Sequence, residues 1–193
     1  LVALLSLQRA HRLPYVIIGE GSNIFFADEE YPGVVISLKY FERDRLIVQD
    51  HIVQATAGMS LAKFVARCAQ HSLGGVEFLS SIPGSLGGAV IMNAGFGGSK
   101  RQQQEIGTYV QSITVIDTAL EIHTLARQAI VFGYRTSSLV DVIVLDVTLE
   151  LVPMPRDEVK RIVNEHLAYR KGVQDLRFPS AGSVFKNPTD CRW

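Results

Sequence analysis

Apolar and polar positions follow two different periods along this chain, and each change of period marks an element. At the start Leu1, Leu4 and Leu5 fall at i, i+3 and i+4. That spacing predicts a helix over residues 1–12, stopped by Pro14, because the residue before a proline is pushed out of the helical region. Tyr15–Ile18 predicts a short buried strand, Val34, Ile36 and Leu38 alternate as strand residues do, and Leu46–Val48 and His51–Ala57 predict two further short strands. From Ser60 the period turns helical: Leu61, Phe64, Val65 and Cys68 share a face, Ser60 suits the N-cap, and Met59 with Phe64 suits a hydrophobic staple. Cys68 on that face reads as a small core residue, and Gly74-Gly75 is expected to end the element. Further strands are predicted at Ser112–Asp117, at Leu120–Thr124 and within Asp141–Leu151, where Val147, Leu149 and Leu151 point one way and Asp146, Thr148 and Glu150 the other. After Pro153 and Pro155, Arg156–Lys171 predicts a helix with Val159, Ile162, Val163 and Leu167 buried and Lys160, Arg161, Glu165 and Arg170 solvated. Many short strands beside three helices make the fold class α+β, not a doubly wound parallel sheet, and the two prolines are taken as a domain boundary.

Composition narrows the function classes. The chain of 193 residues is long enough to bury a core without disulfide or metal staples, and 47% hydrophobic with 20% charged residues argues against disorder. Lys+Arg and Asp+Glu both number 19, so there is no chain-wide electrostatic footprint for nucleic acid. No apolar run approaches a membrane span. Cys68 and Cys191 form neither a metal pattern nor a disulfide framework, which fits a reducing, cytoplasmic setting. His11, His51, His71, His123 and His166 show no metal-ligand spacing, and each reads as an ordinary surface or strand residue. The chain begins at Leu1 inside an apolar pattern and stops at Trp193 after a polar turn, so it reads as a fragment. A signal peptide is a poor reading of its start, because Gln8, Arg9 and His11 follow the apolar residues with no small-residue cleavage site.

Four stretches hold candidate chemistry. Gly19-Glu20-Gly21-Ser22-Asn23 follows a strand, and glycines there let backbone N–H groups approach a phosphate. It is not a dinucleotide fingerprint, since Ile24-Phe25-Phe26 replaces the third glycine and the helix, and no Gly-Lys-Ser/Thr exists for a P-loop. Alone, it reads as a tight turn between strands. The second stretch, Ser80 to Ala89 with Ile82-Pro83-Gly84-Ser85-Leu86-Gly87-Gly88 at its centre, then Asn93-Ala94-Gly95, presents bare N–H donors and small hydroxyls. Two such surfaces suit a pyrophosphate or a dinucleotide cofactor, while small residues equally let a helix pack closely on a sheet; both readings stand. Gly133-Tyr134-Arg135 places a guanidinium at a strand edge, where it could fork onto a carboxylate or phosphate or simply stay solvated. Ser183, in Ser180-Ala181-Gly182-Ser183-Val184-Phe185-Lys186-Asn187-Pro188, has no nucleophile elbow and no histidine nearby, so it reads as a proton donor or an ordinary loop serine.

Taken in order, these segments resemble the UDP-N-acetylenolpyruvoylglucosamine reductases, flavoenzymes of peptidoglycan precursor synthesis. The resemblance runs over nearly the whole chain, and the segment around Ser183 is its most specific part. It implies a two-lobed, PCMH-type FAD-binding module over residues 1–152, lacking its opening strand, and the start of an α+β substrate domain over 153–193. It implies FAD held by Gly19, Glu20, Gly21, Ser22, Asn23, Ile82, Pro83, Gly84, Ser85, Gly87, Gly88, Asn93 and Ala94. Tyr134, Arg135, Ser183 and Asn187 would meet a UDP-sugar enolpyruvyl ether. In the family NADPH reduces the flavin, whose N5 then passes hydride to the enolpyruvyl methylene carbon. By the match Arg135 is the cation on the substrate carboxylate, where charge grows in the transition state. Ser183 is the proton donor to carbon, with Lys186 and Asn187 placed to orient it. Glu20 stands where the family usually has glycine, Phe96-Gly97-Gly98 departs from its pattern, and the family's late acidic catalytic residue has no counterpart before Trp193, so turnover by this stretch alone is not expected. Flavin-dependent carbohydrate or alcohol oxidases share the module but often tether the flavin through a histidine near the glycine loops, and neither loop here contains one. A non-catalytic FAD-binding module is the remaining alternative. The oligomeric state is not legible.

Overall fold

The computed structural model describes residues 1–42, 44–96, 104–175, 177 and 185–186. Helix α1 (Val2–Ala10) leads into β1 (Tyr15–Ile18), which pairs in parallel with β2 (Val34–Ser37), and these three elements form a small lobe. The larger lobe is an antiparallel sheet of β3 (Leu46–Gln49), β4 (Ile52–Thr56), β5 (Val110–Ile116), β6 (Ile122–Ala126) and β7 (Ile143–Glu150), in the order β3-β4-β7-β5-β6. It is covered by α2 (Leu61–Gln70) and the short α3 (Leu86–Ile91), and α4 (Arg156–Val173) packs against α2.

Strand β7 sits at the centre of the sheet and serves two cores. Ile143 and Leu145 join Leu5, Ile36, Leu38 and Ile116 in the core of the small lobe, whereas Val144, Val147 and Leu149 belong to the main core beneath α2 and α3. Strict alternation would send 143, 145, 147 and 149 the same way. The register against β5 shifts between Val144 and Asp146, and this bulge turns the second half of the strand over. One element therefore ties both lobes together. The amphipathic face of α2 is as its period predicts, with Leu61, Phe64, Val65 and Cys68 buried.

Several expectations from sequence need correction. Strand β1 is not buried: Tyr15 is exposed and the rest half-buried, because its two-stranded sheet is covered on one side only. Helix α2 stops at Gln70 with His71 as its C-cap, and Ser72 takes the left-handed turn (φ 55°) expected of the glycines. Leu73–Gly74 instead pairs with Val152–Pro153, and the absent Cβ of Gly74 makes room for the buried Glu77 carboxylate. Asp146 is buried, held by two hydrogen bonds from Arg45 at 2.7 and 2.8 Å. In α4 the buried set is Val159, Ile162 and His166, with Leu167 exposed, because the helix turns toward Phe96, whose ring meets His166 edge-on at 5.7 Å. Helix α4 itself packs on the 3-10 turn Glu77–Ser81 and on α2. Among the described residues no helix is long and apolar enough to cross a membrane.

Candidate active site

Between the lobes lies a cavity of about 600 Å³, within the range of small-molecule sites. The loop after β1 forms one wall. Gly21 turns with φ 75° and has nothing within 4 Å of where a Cβ would stand, so the backbone itself faces the opening. Gly19 approaches so closely that a Cβ would fall 2.0 Å from Ser85 Oγ. Ser22 Oγ donates to Pro83 O at 2.9 Å, and Gly84 (φ 140°) takes a conformation that L side chains rarely adopt. The two glycine stretches, about sixty residues apart in sequence, thus meet face to face.

The second stretch is less open than its composition suggests. It contains α3, a fourth helix, with Ser85 as N-cap accepting from Gly88 N at 3.4 Å. Leu86 N donates to Met59 O and Gly87 N to Ala57 O, both at 2.9 Å, while Gly84 O accepts from Leu61 N at 2.9 Å. Donors expected to be bare are therefore already committed, and α3 offers the cavity flat backbone rather than free N–H groups. Gly87 realises the packing reading, since a Cβ there would stand 2.7 Å from the Cβ of Ala57 at the end of β4.

At the far end of α3 the chain meets a hairpin, Phe132–Gly133 paired with Thr136–Ser137, whose two-residue tip is Tyr134-Arg135. Arg135 has φ 55°, its Nη2 donates to Gly95 O at 2.7 Å, and its guanidinium carbon lies 5.0 Å from the centroid of Tyr134. Its Nη1 is buried and has no hydrogen-bond partner among the described residues, which leaves a donor aimed at the cavity.

Of the residues expected at the cofactor, those of the loop 19–23, the turn 82–85, Gly87, Gly88 and Ala94 line the cavity, and so does Arg135. Glu20 is exposed within that lining. Asn93 and Tyr134 are not in the lining: Asn93 is buried behind it, and Tyr134 is 39% exposed at the hairpin tip. Ser183 and Asn187 lie outside the described residues, and Lys186 is exposed. Sequence reasoning missed Phe96, Arg170 and Gln174. Arg170 is not solvated as expected; its Nη1 donates to Ser81 O at 2.8 Å and its Nε to Gln174 Oε1 at 2.9 Å, which joins α4 to the cavity wall. Its only signal was a cation on the α4 side facing the turn at Glu77–Ser81, which no periodicity separates from a solvated one.

The cavity fits a dinucleotide flavin by three features: glycine turns that expose backbone, an apolar wall from Ile17, Leu38 and Val142, and the Arg135 Nη1 donor, which has no partner among the described residues. A two-lobed α+β module with this cavity between its lobes is the architecture of PCMH-type flavin-binding domains. The FAD binding domain family matches residues 1–126, and the chain belongs to that family. Over 192 residues it is 38% identical to the UDP-N-acetylenolpyruvoylglucosamine reductase of Syntrophus aciditrophicus, covering 97% of this chain and 60% of that protein. The crystal structure of UDP-N-acetylenolpyruvylglucosamine reductase (MurB) from Thermus caldophilus superposes with a TM-score of 0.74 at 33% identity, covering 95% of this chain and 65% of that one. The resemblance read from the ordered motifs is thus the one the comparisons return. Cholesterol oxidase from B. sterolicum, at 18% identity and a TM-score of 0.56 over 79% of this chain and 32% of that one, shares the fold alone. The chain spans about three-fifths of the length of the curated relatives it matches.

Proposed function

We propose that this chain is the flavin-binding part of a cytoplasmic reductase that converts UDP-N-acetylglucosamine enolpyruvate to UDP-N-acetylmuramate in peptidoglycan precursor synthesis, with NADPH as reductant. The observation that carries the reading is the convergence of the two glycine stretches and Arg135 on one cavity, in a chain whose relatives are reductases of this name. The loop 19–23 and the turn 82–85 would hold the FAD pyrophosphate. When bound, the flavin supplies hydride transfer, from the nicotinamide to the enolpyruvyl double bond.

The chain's own residues then have two tasks. Addition of hydride to the methylene carbon moves electron density toward the carboxylate, so a cation fixed there favours the transition state over the ground state. Arg135, anchored through Nη2 and with Nη1 unpaired among the described residues, is suited to it. The adjoining carbon must then receive a proton, and Ser183 would hold one at its Oγ. Among the described residues that line the cavity there is no histidine for a tether of the oxidase kind.

Anaerobic stopped-flow on the intact protein tests the reading. NADPH should bleach the yellow chromophore, and the enolpyruvyl sugar nucleotide should restore it. Restoration by oxygen alone, with none by the sugar nucleotide, would identify an oxidase. Ser183→Ala should leave bleaching by NADPH intact and slow restoration by about 100-fold or more, the usual size of a lost general acid. Equal loss in both half-reactions would remove Ser183 from the proton-donor role.

A further inference from the structure

Asn93 was expected at the cofactor, yet it is 1% exposed and lies behind the cavity wall. Its amide is almost fully used. Nδ2 donates to Glu105 Oε2 at 2.7 Å and to Gly133 O at 2.9 Å, and Oδ1 accepts from Gly107 N at 3.0 Å. Its backbone is left-handed, with φ 42°, at a cost that only well-made contacts justify. Gly133 immediately precedes the two-residue tip of the hairpin that presents Arg135. On the other strand of that hairpin Ser137 Oγ donates to Ile91 O at 2.7 Å, and the Arg135 guanidinium itself donates to Gly95 O at 2.7 Å. Three contacts from one run, residues 91–95, therefore fix the first strand, the second strand and the tip of a hairpin only six residues long.

We propose that Asn93 is a positioning residue: through its bonds to Gly133 and Glu105 it holds the hairpin so that the Arg135 guanidinium stands in place before charge develops on the substrate. The proposal rests on the reading of Arg135 as the carboxylate-binding cation. A cation that must be gathered into position during the reaction loses much of its advantage over water, so its worth depends on what holds it beforehand. Misplacement by about 1 Å through a distant change is enough to cost about 100-fold in rate. Asparagine suits the position because a single planar group both donates toward Gly133 and Glu105 and accepts from Gly107. Aspartate, of the same shape, would set an acceptor against two acceptors and a second negative charge beside Glu105.

The test is a double-mutant cycle on the flavin-loaded intact protein, read in the reoxidation half-reaction with the enolpyruvyl sugar nucleotide. Asn93→Asp alone should slow reoxidation by about 10- to 100-fold, with reduction by NADPH changed by less than about 3-fold. In an Arg135→Ala background the same substitution should change reoxidation by less than about 2-fold, because the group it positions is gone. Losses that multiply in the double variant would overturn the proposal and leave Asn93 a purely structural residue. If Arg135→Ala alone leaves reoxidation untouched, the reading of Arg135 falls instead, so the two failures are distinguishable. Should Asn93→Asp lose the flavin, the cycle is run with Asn93→Ser, which removes the bonds to Gly133 and Glu105 without adding a charge, and the same two outcomes decide.

Discussion

At the scale of single residues, the sequence made legible what glycine and arginine motifs carry and hid what depends on direction. The glycines at 19, 21, 84 and 87 stood out by composition, but only the fold separates their tasks: Gly21 and Gly84 turn the backbone, while Gly19 and Gly87 permit close approach. Asn93 was assigned to the cofactor through the family resemblance, and a motif match does not say whether a side chain faces a cavity or the wall behind it. Gly87 and Gly172 make the distinction measurable. Both are helical, yet a Cβ at Gly87 would meet Ala57 at 2.7 Å, and one at Gly172 would meet nothing within 4 Å. Gly87→Ala should destabilise the protein by about 1–3 kcal/mol by forcing α3 off β4. Gly172→Ala should stabilise it by up to about 1 kcal/mol through helix propensity alone. Urea denaturation at constant slope reads both, and equal signs would refute the packing role of Gly87.

Elements were more legible than residues, because hydrophobic period depends on many positions at once. The strands of the main sheet and the face of α2 fall close to where the periods place them. What the period does not carry has physical causes: β7 changes face at a bulge, and Asp146, on the face opposite Val147 and Leu149, is buried where Arg45 meets it. Burial raises the Asp146 carboxyl above its ordinary value, and the hydrogen bonds and charge of Arg45 offset that only in part. A folded-state value above the unfolded one means that the native protein binds this proton more tightly. The group's contribution to stability is therefore greatest below the ordinary carboxylate range and declines as pH rises through the raised value. Arg45→Leu would leave the ionised carboxylate without its partner, at a cost of about 1–3 kcal/mol at pH 7. That figure is below the loss for a fully buried pair because the Arg45 side chain is 38% exposed. The deficit should shrink as pH falls and Asp146 takes up its proton, since a neutral carboxyl needs no cation. Urea titrations of both proteins at pH 7 and pH 4 check this; a deficit that is constant with pH would mean that the loss arises elsewhere.

For the molecule as a whole, the sequence announced a two-lobed module only through family resemblance, because nothing local says that a strand will serve two cores. The small lobe carries the first glycine loop, and its core is modest: Leu5, Ile36 and Leu38 from its own elements, with Ile116, Ile143 and Leu145 lent by the sheet. A core of that size makes the lobe the natural place for local opening below the global unfolding free energy. The cavity needs both walls, so its affinity for FAD should depend on the closed fraction, an apparent Kd rising as that fraction falls. Two deletions of the same chemistry separate this from global stability. Leu5→Ala and Leu149→Ala each empty a fully buried site, 1% and 0% exposed, and each should cost about 2–5 kcal/mol. Leu149 lies in the main core, away from the small lobe, so its loss lowers the melting temperature while the surviving native protein keeps both walls. Leu5 pins α1 to the small core, so its loss lets the loop 19–23 withdraw from the turn 82–85 while the sheet remains folded. Fluorescence titration of the stripped protein with FAD should give a Kd raised by about 5-fold or more for Leu5→Ala and within about 2-fold of the parent for Leu149→Ala. Equal effects would mean that the lobes open only when the whole protein unfolds, and that the cavity is held by the sheet rather than by the docking of α1.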